Sequence, residues 1–231
     1  DGYGAVYFVD DHFLLQPKRI EAICQGINDR GLEIQWGCEG RVDSVCMDLF
    51  PAMAKAHCRT LMFGIESGSQ KILDAMDKGT RREQIPVARE RLRQAGIRAC
   101  YFLQLGYPGE TFEDIEETLR LLRETLPDDI GVSVSYPLPG TKFHAMVEAR
   151  LGAKDRWDDS GDLAMMFQGT YQTGFYRELH KLLHRDLDLR LALAAGDPAG
   201  AELGQVEARL LELGRTEASY RNLHPTEIEK D

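Results

Sequence analysis

Phe63-Gly64-Ile65-Glu66-Ser67-Gly68-Ser69 closes an apolar run that begins at Thr60, and a helical pattern opens directly after it at Gln70. Glycines and a carboxylate therefore stand at the mouth of a strand, the place where parallel α/β folds bind ligands. A second block of the same kind, Gly106-Tyr107-Pro108-Gly109-Glu110-Thr111, follows the apolar stretch Ile97 to Leu105 and precedes an amphipathic helix from Phe112 to Leu126. Two such blocks make a repeating strand-loop-helix unit the natural hypothesis for the whole chain.

The unit recurs. Gly4 to Val9 reads as a strand, and Pro17 to Arg30 carries Ile20, Ile23, Cys24 and Ile27 at helical spacing. Glu33 to Gly37 is strand-like and Leu49 to Cys58 helix-like. Helices are expected at Gln70 to Met76 and at Arg82 to Ala95, the second stopped by Gly96, and a fifth strand at Ile130 to Ser135. Strands alternating with helices imply parallel pairing and right-handed crossovers, in a sheet that either closes partly into a barrel or stays open. After Pro137-Leu138-Pro139-Gly140-Thr141 the rhythm stops, and residues 142–231 read as a helical appendage with a polar, Asp-rich loop at 155–162 and a mobile end. The expected division is thus a barrel at 1–141 and a helical extension at 142–231.

Composition bounds the function. Of 231 residues, 43% are hydrophobic and 29% charged, which is ordinary for a globular domain. A net charge of −10 repels phosphate backbones, so nucleic acid is not an expected partner. No apolar run reaches the length of a membrane span, and a cytoplasmic setting is expected. The five cysteines, Cys24, Cys38, Cys46, Cys58 and Cys100, include no pair two or three residues apart, which suits neither a disulfide framework nor a metal or iron-sulfur set. They are expected to be reduced thiols, and no metal ligand is assigned.

On this scheme the polar residues collect after the strands. Asp10, Asp11 and His12 follow the first; Cys38, Glu39 and Arg41 the second; Glu66, Ser67 and Ser69 the third; Gly106, Pro108, Gly109 and Glu110 the fourth; Tyr136 and Pro137 the fifth. Plainer roles compete. Asp10 and Asp11 suit a cap or turn, Ser69 a helix cap at Gln70, and Arg41 an ion pair with Glu66 or Asp43. Glu66 resists that treatment, because an acid directly after an apolar strand is costly unless paired or functional. His144, His180 and His184 fall on helical patterns and are expected to be ordinary.

At these residues the chain resembles a radical S-adenosylmethionine enzyme of the type that carries an N-terminal cobalamin-binding domain. The resemblance rests on Phe8-Val9-Asp10-Asp11-His12-Phe13, Trp36-Gly37-Cys38-Glu39-Gly40-Arg41-Val42-Asp43, the Phe63 and Gly106 blocks, and Ser135-Tyr136-Pro137-Leu138-Pro139-Gly140-Thr141, in the family's order and one per strand. Phe167-Gln168-Gly169-Thr170-Tyr171, with Phe175-Tyr176, is similar to the anaerobic magnesium-protoporphyrin IX monomethyl ester cyclase branch.

The resemblance implies a partial (β/α)6 barrel lacking its first strand. S-adenosylmethionine would lie across the strand ends, with Asp10 and Asp11 toward the methionine amino group, Glu66 and Ser67 toward the methionine or ribose part, and Gly106, Pro108, Gly109 and Tyr136 near the adenosyl group. Arg41 completes the expected cofactor-binding set. The family's three closely spaced cysteines, which hold a [4Fe-4S] cluster, are missing. The expectation is a truncated piece whose cluster ligands and cobalamin domain precede Asp1, inactive alone, with a small-molecule substrate. The competing expectations are a divalent-metal lyase or hydrolase using Asp10, Asp11, His12 and Glu66, and a cluster-free binding module.

Overall fold

A computed structural model describes residues 4–10, 12–44, 46–154, 156 and 160–222. The chain divides into two compact units, Asp1–Leu103 with Arg120–Gly131 and Gln104–Leu119 with Val132–Asp231.

The strands are β1 (Ala5–Phe8), β2 (Gln35–Gly40), β3 (Cys58–Glu66), β4 (Arg98–Leu105) and β5 (Asp129–Val134), in the sheet order β1-β2-β3-β4-β5. β1 to β4 pair in parallel, and the bonds Asp128 N–H to Ala99 O and Ser135 N–H to Leu105 O climb together, which makes the last pair parallel too. Strand order equal to chain order, with no reversal, is the singly wound order of a (β/α) barrel, since a doubly wound sheet changes direction at a switch point. The open alternative is thereby settled in favour of a partial barrel.

Helices α1 (Pro17–Asp29), α2 (Phe50–Lys55), α3 (Gln70–Ala75) and α4 (Gln84–Ala95) connect these strands. α1 starts with Pro17 in its first turn and buries Ile20, Cys24 and Ile27; α4 ends at Gly96 with φ 72°, the left-handed stop a glycine accepts without strain. Along β3, Leu61, Phe63 and Ile65 are fully buried while Met62, Gly64 and Glu66 are half-buried. One face of the sheet therefore packs under helices, each buried aliphatic or aromatic contributing about 2 kcal/mol, and the other stays open.

One expectation needs correction. β2 runs through Gly40, so Cys38 and Glu39 are strand residues, and only Arg41 follows. Pairing with β3 continues to Glu39–Met62 and Gly40–Phe63, and Gly40 has no side chain because a Cβ there would lie 2.5 Å from Leu14 Cδ1. Cys58, expected in a helix, begins β3.

In the second unit α5 (Phe112–Thr125) begins as expected at Thr111, whose N–H and hydroxyl both donate to Asp114 Oδ2 at 2.8 Å. Beyond it come α6 (Lys142–Val147), α7 (Thr173–Ala194) and α8 (Gly200–Arg215). α7 and α8 form a hairpin: Leu203, Val206, Leu210 and Leu213 of α8 are buried, as are Leu179, Leu182, Leu183 and Leu187 of α7. Ion pairs Glu178–Arg209 (3.0 Å), Arg185–Glu202 (2.5 Å) and Arg190–Glu207 (2.5 Å) cross between them. The buried Asp186 is paired with Arg190 at 2.7 Å.

Candidate functional site

The open face of the first unit holds a recess of about 280 Å³. Glu39 and Gly40 of β2, Arg41 beyond it, Met62, Gly64 and Glu66 of β3, Phe102 of β4 and Lys78 from the loop after α3 line it. At its centre Lys78 Nζ donates to Glu66 Oε1 at 2.6 Å, with the two side chains 22% and 18% exposed.

The backbone is bent to make this pair. Glu66 sits at φ 64°, a left-handed conformation that costs an ordinary L residue about 1 kcal/mol, and the β3–β4 register shifts between Gly64 and Glu66. Residues two apart share a strand face, so the carboxylate reaches back over Gly64. A Cβ at Gly64 would stand 2.7 Å from Glu66 Oε1 and 3.0 Å from Lys78 Nζ, so any larger residue must push those two side-chain ends aside.

Arg41 fastens the loop that carries Lys78. Its guanidinium grips Asp43 through two bonds of 2.9 and 2.8 Å and donates to Lys78 O at 2.7 Å. Hydrogen bonding from Arg41 holds Asp43 below the usual carboxylate range, and hydrogen bonding to Asp43 raises Arg41. Of the two partners expected for Arg41, the structure selects Asp43; Glu66 takes Lys78.

The other candidates fall elsewhere. Asp10 pairs with Arg19 at 2.9 Å, and Asp11 lies outside the described residues. Ser67 is buried and its Oγ accepts the Ser69 N–H at 3.1 Å, a bond internal to the turn. Ser69 occupies the cap position of α3 without a capping side-chain bond. His12 is half-buried with Nε2 unpartnered. Among the described residues no three His, Cys, Asp or Glu side chains converge as a metal site, and Asp10 and Glu66 each pair with a basic side chain.

Gly106, Pro108, Gly109 and Tyr136 belong to the second unit. Gly106 (φ 78°) donates its N–H to Glu110 Oε2 at 2.6 Å, and Glu110 is 1% exposed. That acid staples its own turn. A Cβ at Gly106 would come within 3.0 Å of Met165 Cε and 3.1 Å of Tyr176 Cζ. Tyr136 is half-buried under the Lys154 ammonium, 5.3 Å from the ring centroid, and burial pushes its phenol up to about 12.

Lys78 escaped the sequence reading, because a lone lysine in Asp77-Lys78-Gly79-Thr80 looks like loop surface. The available signal was the requirement that Glu66 be paired. Cys24, Cys38 and Cys58 are buried, and hydrogen bonding with Cys58, then burial, push the Cys38 thiol far up. His180 and His184 face one another on α7, ring centroids 4.4 Å apart.

Residues 1–122 match the model of the radical SAM superfamily. An uncharacterised methyltransferase of Pyrococcus horikoshii is 33% identical over 142 residues, covering 62% of this chain and 31% of that protein. The anaerobic magnesium-protoporphyrin IX monomethyl ester cyclase of Rubrivivax gelatinosus is 29% identical, covering 59% and 25%. A tRNA-2-methylthio-N(6)-dimethylallyladenosine synthase of Trichlorobacter lovleyi is 38% identical over a shorter stretch, 40% of this chain and 22% of that one. The chain thus spans about a quarter to a third of the length of the curated relatives it matches first. In fold it is similar to the radical S-adenosylmethionine methyltransferase TsrM of Kitasatospora setae, solved with cobalamin and a [4Fe-4S] cluster, at TM-score 0.53 and 17% identity over 58% of this chain and 28% of that one. With more than half of its length matched and the expected singly wound strand order in place, the chain belongs to the radical SAM superfamily of enzymes.

Proposed function

We propose that this chain is the S-adenosylmethionine-binding part of a radical enzyme of the cobalamin-binding-domain type. The observation that carries the reading is the recess at Glu66, where opposite charges stand within one small, half-open space on the free face of the sheet. The methionine end of the cofactor is a zwitterion joined to a ribose. Glu66 and Glu39 suit its ammonium and hydroxyl groups, Lys78 and Arg41 its carboxylate, and Met62 and Phe102 an apolar flank. When bound, S-adenosylmethionine supplies a 5′-deoxyadenosyl radical or a methyl group, and the protein's part is to position it.

In the free chain Lys78 and Glu66 satisfy each other. A ligand with its own ammonium and carboxylate exchanges that pair for two new ones, so neither charge is left bare. The left-handed Glu66 fixes the direction of the carboxylate in advance. We place Asp10, Asp11, Ser67, Gly106, Pro108, Gly109 and Tyr136 in the same cofactor role on the strength of the sequence pattern alone.

The [4Fe-4S] cluster does not fit the residues described: Cys38, Cys46 and Cys58 are 0% exposed, and no ligand trio converges. In this reading the cluster ligands and the cobalamin domain lie outside these 231 residues, and the chain alone does not cleave the cofactor. The substrate is a small molecule of unassigned structure; the charge of −10 disfavours tRNA despite the tRNA-modifying relative. Among the described residues no helix is long and apolar enough to cross a membrane.

Calorimetric titration with S-adenosylmethionine tests the reading. Binding that is lost in Glu66→Gln is the expected result, and no binding at millimolar cofactor would sink it. Reductive cleavage by the chain after reconstitution with iron and sulfide would instead refute its inactivity, and a gel shift with tRNA would refute the substrate class.

A further inference from the structure

The second unit carries a groove of about 590 Å³ that the chemistry above does not use. Two isolated antiparallel bridges tie its walls. Gly152 N–H donates to Met166 O and Gln168 N–H to Arg150 O, both at 2.8 Å, bridging Leu151 with Phe167. Farther along the same segment Gln172 N–H donates to Tyr220 O and Asn222 N–H to Thr170 O, while the Asn222 amide reaches Gly169 O and Tyr171 O at 2.9 and 3.1 Å. Main chain bonded along both edges keeps the walls in place before any ligand arrives.

Arg150 stands in this wall with its guanidinium 5.8 Å from the Phe167 ring centroid. Among the described residues no carboxylate pairs with it. A planar cation laid against a ring turns its N–H edge outward, the geometry that grips a carboxylate through two parallel bonds. Leu151 and Met165 add apolar surface, and Gln172 and Thr173 add polar groups. In a chain of net charge −10, an arginine in a groove that no described carboxylate pairs with offers an anion a local attraction.

We infer that this groove binds a small molecule carrying a carboxylate on a partly apolar body, with Arg150 as the carboxylate clamp. The inference stands apart from the chemistry proposed for the first unit. The rival occupant is the chain's own sequence after Asn222, which contains Glu227, Glu229 and Asp231.

The test uses 2-naphthoate and its neutral analogue 2-naphthylmethanol as probes, with binding read by ligand-observed NMR and calorimetry on the full chain. Arg150→Gln should weaken naphthoate at least tenfold and leave the alcohol unchanged, and Arg150→Lys, which keeps the charge without the fork, should fall between. Thermal melting shows that each variant is folded. Equal binding of acid and alcohol by the unaltered chain, or naphthoate binding unaffected by Arg150→Gln, overturns the assignment. So does the absence of binding in both the unaltered chain and a variant with Glu227→Gln, Glu229→Gln and Asp231→Asn. Binding that appears only in that variant assigns the groove to the chain's own terminus and equally overturns a small-molecule site.

Discussion

Gly64-Ile65-Glu66-Ser67-Gly68 and Gly106-Tyr107-Pro108-Gly109-Glu110 each set a carboxylate among glycines at the end of an apolar strand, yet the first holds its acid on an open face opposite Lys78 and the second folds its acid inward onto Gly106 N–H. Spacing separates them. A glycine two residues before the acid shares its strand face and clears space beside it, whereas a glycine four residues before it lies across a tight turn and offers its N–H as the acid's partner. The same composition thus yields a candidate binding group in one case and a structural staple in the other. The difference is also visible in burial: Glu66 is half-buried, whereas Glu110 is 1% exposed.

The staple should give the largest response. Glu110→Ala leaves a buried N–H without an acceptor and should cost about 3 kcal/mol in urea unfolding; a loss below about 1 kcal/mol would mean that the turn does not depend on its acid. Next comes Gly64→Ala. The clash falls on flexible side-chain ends, so stability should change by less than about 1 kcal/mol, but displacing Glu66 and Lys78 should weaken S-adenosylmethionine at least tenfold, about 1.4 kcal/mol. Unchanged affinity would remove the pair from the site. Lys78→Met should cost about 1 kcal/mol or less in stability, as expected for a partly exposed pair, and weaken the cofactor by a similar factor; if only stability moves, Lys78 is as structural as Glu110.

Two smaller effects sharpen the contrast. Asp43 has its folded pKa lowered by Arg41, so the stability it contributes is complete above the ordinary carboxylate pKa and disappears as pH falls through the lowered value. Arg41→Gln should therefore flatten the acid limb of the stability profile, and an unchanged limb would contradict the pairing. Glu66→Asn places a residue more tolerant of left-handed backbone at φ 64°. Relieved strain and the lost Lys78 pair should offset each other, so stability should change by less than about 1 kcal/mol while cofactor binding falls; a larger loss would show that the carboxylate supports the fold, as Glu110 does.

The periodicity of apolar residues carried most of the architecture, because strands buried on one face and helices buried on one side write their periods into the chain. Gly96 and Thr111 marked ends that the backbone confirms. Sequence was blind where the decisive contact is long-range. Cys38-Glu39-Gly40 reads as loop beyond a strand ending at Gly37, and pairing with β3 carries the strand through it. The Asp43 grip of Arg41 was legible at two residues' distance, while the Glu66 partner, twelve residues away across a helix, was not. Glu110 falls among the rim's polar residues in sequence, because nothing in a linear reading distinguishes an acid facing outward from one folded into its own turn.

The α7–α8 hairpin carries an alignment code. A seam of leucines tolerates sliding, since a shift by one heptad sets leucine on leucine again. The pairs Glu178–Arg209 and Arg185–Glu202 step seven residues in opposite directions along the two antiparallel helices. Sliding α8 one heptad one way brings Glu178 opposite Glu202; sliding it the other way brings Arg185 opposite Arg209. Each ion pair adds little to stability by itself, but together they penalise both neighbouring alignments, so charge fixes the register that the apolar seam alone would leave open.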